Sequence, residues 1–212
     1  CKAKGLFRKE QNKPLIGDDV MIVVLDEEKK LGNIQVLLPR NNELLRPAVA
    51  NVDQALIVFS VVKPLPNLNL LDRFLIMMEL EQIPCGICFT KTDLASEDEI
   101  KQLKEIYEPA GIELYFCSVF EKSGLEELQA YLHGKTTVLA GPSGVGKSTL
   151  INEIQGEVQM ETGEISEKIG RGKHTTRHSQ LIHQKDNTYF MDTPGFTSLQ
   201  PPEIDKIHLG SL

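Results

Sequence analysis

Residues 136–149 read Thr136-Thr137-Val138-Leu139-Ala140-Gly141-Pro142-Ser143-Gly144-Val145-Gly146-Lys147-Ser148-Thr149. A β-prone run enters a glycine-rich turn that fits G-x-x-x-x-G-K-[ST] in full, and the next residues, Leu-Ile-Asn-Glu-Ile, have helical character. Glycines let backbone N–H groups converge on phosphate oxygens, and the start of a helix adds a favourable field for an anion. In that setting Lys147 neutralises charge on the β- and γ-phosphates, and the Ser148 hydroxyl can ligate Mg²⁺. The stretch predicts a nucleoside triphosphate held at a strand-to-helix turn, which places the chain in the α/β class.

The phosphate loop does not choose the base. Upstream, at the end of the apolar run 86–90, stands Thr90-Lys91-Thr92-Asp93, which resembles the guanine motif [NT]-K-x-D. A carboxylate there accepts from guanine N1–H and the exocyclic amine, a donor pair that adenine lacks. The Lys91 stem can lie over the base plane. Ser118 closes the run 113–118 and with Val119 matches a second guanine-contacting loop, where the usual Ser-Ala-Lys reads Ser-Val-Phe. The contact expected there is a backbone N–H to the guanine oxygen. Downstream, Asp192-Thr193-Pro194-Gly195 has the D-x-x-G form, in which Asp192 holds Mg²⁺ through water and the Gly195 amide senses the γ-phosphate. Between the two phosphate motifs, Thr176 in His174-Thr175-Thr176-Arg177 can complete the Mg²⁺ shell from a switch loop.

From residue 51 onward apolar strand-like runs alternate with amphipathic stretches, the pattern of a parallel sheet covered by helices. Strands are expected at 54–62, 86–90, 113–118, 136–140 and 188–192, and helices at 68–80, 97–107 and 125–132. Residues 15–38 differ, with two β-rich runs at 20–25 and 33–38 about a polar turn, as in a small barrel or sandwich.

With 212 residues, 41% apolar and 25% charged, the chain can bury the core of one main domain plus a small module. It contains no apolar run of bilayer-spanning length, and the cytoplasm is the expected location. Its four cysteines are expected to be reduced thiols, and Cys85 and Cys88 to be core residues rather than zinc ligands. His174, His178 and His183 lack the nearby Cys or acidic partners of a metal site. The net charge of −7 speaks against non-specific DNA binding over the whole surface. Two local basic clusters remain, Lys2, Lys4, Arg8, Lys9 and Lys13 near the start, and Lys168, Arg171, Lys173, Arg177 and Lys185 around the switch loop. A monomer is expected.

The order of the motifs is unusual. Both guanine motifs precede the phosphate loop, Thr176 and Asp192-Thr193-Pro194-Gly195, whereas ordinary GTPases place the phosphate loop first. A circular permutation moves the cut and leaves the strand packing alone. In this the chain resembles the ribosome small subunit-dependent GTPase A family. Further support comes from Gly17-Asp18-Asp19-Val20, Leu38-Pro39-Arg40-Asn41, Arg46-Pro47, Ala50-Asn51-Val52-Asp53, Leu71-Asp72-Arg73-Phe74, Gly170-Arg171-Gly172-Lys173-His174-Thr175-Thr176 and Asp192-Thr193-Pro194-Gly195-Phe196.

The resemblance implies part of an OB-fold at 1–47, a circularly permuted GTPase domain at 48–200, and at 201–212 the start of a C-terminal zinc-binding domain whose cysteine-rich segment this chain lacks. It implies GTP or GDP with Mg²⁺ as ligands, Zn²⁺ confined to that further domain, and the small ribosomal subunit and its rRNA as partners, with no membrane. The activity implied is GTP hydrolysis in late maturation of the small (30S) subunit, stimulated by that subunit. Two rivals stay open: an RNA-binding assembly factor whose pocket is mainly regulatory, and an ATP-dependent P-loop enzyme. Phe196 stands where a water-orienting Gln is usual and cannot hydrogen-bond water, so slow intrinsic turnover is expected. His174, beside Thr176, is the candidate replacement, with Lys147 as the other catalytic group.

Overall fold

The computed structural model describes residues 2–3, 13–45, 48–156 and 180–192. The chain divides into two compact units, Cys1–Val52 and Asp53–Leu212. The boundary expected at residue 47 falls inside a short ribbon, and the division lies after that ribbon instead.

In the first unit, β1 (Lys2–Ala3), β2 (Val20–Asp26) and β3 (Leu31–Leu37) form a sheet in the order β1–β3–β2. Its β2–β3 hairpin is antiparallel, with irregularities at Met21/Ile22 and Val24/Asp26. A separate antiparallel ribbon pairs β4 (Glu43–Leu45) with β5 (Ala48–Ala50). Among the described residues these strands close no barrel. Polar residues quoted above for the family resemblance form one clasp here. The Asp18 carboxylate accepts from the Leu15 amide at 2.6 Å and from Arg40 Nε and Nη2 at 2.6 and 2.9 Å. Asn51, in the left-handed region at φ 55°, accepts from the Asn41 amide and donates to the Gly17 carbonyl, both at 2.9 Å.

The second unit carries β6 (Gln54–Ser60), α1 (Leu68–Leu80), β7 (Cys85–Thr90), α2 (Glu97–Tyr107), β8 (Glu113–Cys117), α3 (Leu125–Leu132), β9 (Thr136–Ala140), α4 (Lys147–Gln155), β10 (Gln180–His183) and β11 (Tyr189–Asp192). The strands form one sheet in the order β10–β11–β9–β6–β7–β8. Every pairing is parallel except β10 with β11. Parallel strands are covered on both faces, so their sequences read as continuous apolar runs. All seven residues of β6 are buried. One side of the core gathers Leu56, Val58, Leu128, Leu139, Leu150 and Phe190. Elsewhere Phe59 meets Phe74 of α1 edge-on with ring centroids 6.3 Å apart, and Phe89 stacks on Phe116 at 5.3 Å.

The helices start where local chemistry allows. The Asn67 side chain accepts from the Leu70 amide at the head of α1, and Ser96 with Glu99 forms a capping box on α2. The chain runs outward from β6 through β7 to β8, then returns to place β9 on the other side of β6. Successive connections therefore leave β6 and β9 in opposite directions. The crevice outside the carboxyl ends of such a strand pair is where open α/β sheets bind ligands, and residue 141 follows β9 directly.

Candidate nucleotide-binding site

The phosphate loop leaves β9 under tight constraint. Gly141 sits at φ +132°, and a Cβ added there would stand 2.1 Å from the Val58 carbonyl oxygen in the middle of β6. Gly144 and Gly146 adopt φ +81° and +94°. Glycine is needed at these turns because other residues pay steric strain at positive φ. Gly146 is the N-cap of α4 and provides no side-chain hydrogen bond, in contrast to the caps of α1 and α2. An uncapped helix start that follows a glycine-rich turn leaves orphan amides for an anion. Lys147 Nζ donates to the Gly141 and Pro142 carbonyls at 2.7 Å each, which holds the ammonium over the loop. Ser148 and Thr149 follow in the first turn of α4, and Ser143 is exposed at the loop's tip.

The guanine motif meets this loop directly. The buried Thr90 hydroxyl donates to the Val145 carbonyl at 2.5 Å, which ties the end of β7 to the phosphate loop. Lys91 takes the left-handed conformation at φ 59°, uncommon for a side-chain-bearing residue and frequent at functional sites. Its ammonium donates to the Gly144 carbonyl at 2.8 Å and to the Lys63 carbonyl, so its stem is stretched across the site. Thr92 begins a 3₁₀ turn that projects Asp93. Ser118 Oγ donates to Asp93 Oδ1 at 2.6 Å and accepts from the Glu121 amide at 3.0 Å. The Ser118 amide is bonded to the Ser123 carbonyl at 3.1 Å. The Ser118 amide is thus engaged within its own loop, and the Ser118 hydroxyl holds the Asp93 carboxylate.

Between these loops lies a cavity of about 330 Å³ lined by Thr90, Lys91, Asp93, Val119, Val145 and Gly146, with Phe120 and Thr149 at its edge. Of the expected base-binding residues, Thr92 and Ser118 do not line it. Phe120 was not anticipated as a site residue, although its departure from the usual Lys is visible in the sequence.

For Mg²⁺, the described backbone puts Asp192 at the carboxyl end of β11, in register with Leu139 of β9, two residues before the loop begins. Ser148 is the second residue of α4. These two positions fit a hard cation with oxygen ligands at the phosphate end of the crevice. His174, Thr176 and Gly195, together with 201–212, lie outside the described residues. Among the described residues, no cluster of three or more His, Cys, Asp or Glu is placed to hold a metal by protein groups alone. His183 instead lies against Tyr189, ring centroids 4.9 Å apart. Cys88 and Cys117, fully buried on neighbouring strands, and the half-buried Cys85 belong to the core. Burial, with the charge of Glu79, pushes the Cys85 thiol up to about 11. Among the described residues, no helix is long and apolar enough to cross a membrane.

Comparison with known proteins agrees with this geometry. A family model described as RsgA GTPase matches residues 37–202. The chain is 59% identical over 206 residues to a small ribosomal subunit biogenesis GTPase RsgA of Agathobacter rectalis, covering 97% of this chain and 68% of that protein. It is 51% identical over 199 residues to the protein of that name in Alkaliphilus metalliredigens, covering 94% and 68%. Among solved structures, YjeQ from Thermotoga maritima is similar at a TM-score of 0.73 and 34% identity, covering 92% of this chain and 66% of that one. YloQ, described as a circularly permuted GTPase, is similar at 0.73 and 36%, covering 100% and 67%.

Proposed function

The chain belongs to the RsgA GTPase family and is a GTP-hydrolysing enzyme of circularly permuted fold, and from that premise we propose that it acts in late maturation of the small (30S) ribosomal subunit, with hydrolysis stimulated by the subunit itself. Its relatives carry small-subunit biogenesis in their names. The observation that carries the nucleotide reading is the meeting, at one crevice, of an uncapped phosphate loop with an oriented carboxylate, Asp93, at the neighbouring strand end.

In this reading the amides of Gly141, Ser143, Gly144, Val145 and Gly146 surround the phosphates, and Pro142, which has no N–H, shapes the turn. Lys147 turns from the Gly141 and Pro142 carbonyls to the β- and γ-oxygens. Mg²⁺, held by Ser148, Thr176 and Asp192, would supply further neutralisation of charge developing on the phosphates. Gly195 reports the γ-phosphate to the segment after it. His174 positions the attacking water in place of the usual Gln, and subunit binding stimulates that step. Asp93 selects guanine. The partners are the small subunit and its rRNA, and the setting is the cytoplasm, where subunits mature.

Hydrolysis of GTP and ATP, each measured with and without purified small subunits, tests this. Slow GTP turnover that rises severalfold or more with subunits is expected, with ATP inert. Tight subunit binding without stimulation would favour a regulatory pocket on an RNA-binding factor, and ATP turnover equal to that of GTP would remove Asp93 as the selector.

A further inference from the structure

Phe120 is 87% exposed, more than any other large apolar side chain among the described residues. No ring or ammonium group of the described residues lies against it. Exposure of one apolar side chain is ordinary by itself; its place beside the cavity is what gives this one a use.

Its surroundings narrow what that is. Phe120 lines the same cavity as Lys91, Asp93 and Val145. The loop that carries it is pinned at its neck, where Ser118 and Ser123 exchange amide-to-carbonyl hydrogen bonds of 3.1 Å in both directions. Gly124 then fixes the exit at φ +68°, where a Cβ would stand 2.1 Å from the Phe116 carbonyl oxygen. Through the Ser118–Asp93 hydrogen bond this loop is also tied to the carboxylate. The backbone that carries the ring is therefore held beside the cavity that Asp93 also lines.

We infer that Phe120 is the stacking platform of the nucleobase cleft, covering the face of a purine whose edge is read by Asp93. This rests on the assignment of the cavity to guanine. Division of labour follows from the chemistry, because every purine offers a π-face while only guanine offers the donor pair that Asp93 accepts. Phe120 supplies affinity for the base and little selectivity; Asp93 supplies selectivity.

The chain contains no tryptophan, so Phe120→Trp introduces a single fluorescent reporter at the cleft. Its emission should be quenched on titration with GDP at near wild-type affinity. Inorganic tripolyphosphate, which can fill only the phosphate end, should leave the emission unchanged. Phe120→Ala should keep its melting temperature and bind GDP about 5- to 150-fold more weakly, the range expected for losing one base–aromatic stack. Inosine diphosphate, which lacks the exocyclic amine, should lose the same factor. Phe120→Ala binding GDP as tightly as wild type, or an unquenched tryptophan at saturating GDP, would overturn the inference while leaving the cavity assignment standing. Wild-type protein that fails to bind GDP would remove both.

Discussion

Ser118 Oγ donates a 2.6 Å hydrogen bond to Asp93 Oδ1, joining the loop after β8 to the loop after β7, while the same oxygen accepts from the Glu121 amide of its own loop. Ser118 is fully buried, so water cannot replace it. Ser118→Ala should leave the fold intact and weaken GDP binding about tenfold, matching the roughly 1.5 kcal/mol of a hydrogen bond to a charged group. Discrimination against ATP should narrow along with it, because the carboxylate loses its fixed orientation. Competition binding with GDP and ATP checks both outcomes, and unchanged affinity would show that Asp93 is held by the 3₁₀ turn alone.

Asp93→Asn exchanges an acceptor for a donor at the point where guanine presents its exocyclic amine. GTP turnover, as kcat/KM, should fall about 100-fold or more, because a buried polar pair is left mismatched. Xanthosine triphosphate carries an oxygen at that position and should become the better substrate. Steady-state kinetics with the two nucleotides decides it, and a retained preference for GTP would move base reading away from Asp93.

Much of this site was legible because its motifs encode backbone requirements. The glycines of the phosphate loop sit at positive φ, and the strands of the sheet are apolar enough to read as runs. Helices α1, α2 and α3 span the residues expected, since Asn67, Ser96 and Gly124 mark their starts locally. What stayed hidden depended on tertiary neighbours. The short β10, Gln180 to His183, pairs with β11 at the edge of the sheet, and its two central apolar residues, Leu181 and Ile182, are too few to read as a strand. The first strand of the sheet stops at Ser60 rather than at 62, where the Val61 amide turns to the Thr90 carbonyl. That the Ser118 amide is engaged at the loop neck, and that Phe120 edges the cleft, follow from loop geometry that no single residue announces.

Within the first unit, Asp18 and Arg40 form a supporting ion pair. Burial raises the Asp18 carboxyl, but the Arg40 hydrogen bond, the Leu15 amide and the Arg40 charge outweigh it and hold it below its ordinary value. A carboxyl depressed in the folded state stabilises above its unfolded value, about 3.9, and loses that contribution as pH falls through the folded value. The Asp18 side chain is 2% exposed and that of Arg40 18%, so Arg40→Ala strands a charge. The variant should lose about 3 kcal/mol at pH 7, and its gap to wild type should shrink as the pH drops below about 4. Urea denaturation at both pH values measures the gap; one that stays constant would mean the pair acts through packing alone.

The phosphate loop offers a test in which two glycines of one motif should behave differently. At Gly141 both terms are adverse, since φ is +132° and a Cβ would meet the Val58 carbonyl oxygen at 2.1 Å. Val58 lies buried in β6, paired with Cys88 of β7 and directly after Ile57, the last residue paired with β9, so its backbone is held from both neighbours. At Gly144 φ is +81° but nothing stands within 4 Å of the added carbon, so only backbone strain applies. Gly141→Ala should therefore cost about 2–4 kcal/mol, strain and overpacking together, and Gly144→Ala about 1 kcal/mol. A displaced first residue also swings the amides that follow it. GDP should then raise the melting temperature of Gly144→Ala, as linkage requires of any ligand that binds the folded state, and leave that of Gly141→Ala unmoved. Thermal melting of both variants with and without GDP reads the two effects together. The reverse order of damage would mean that the approach of Gly141 to β6 is not what sets the loop.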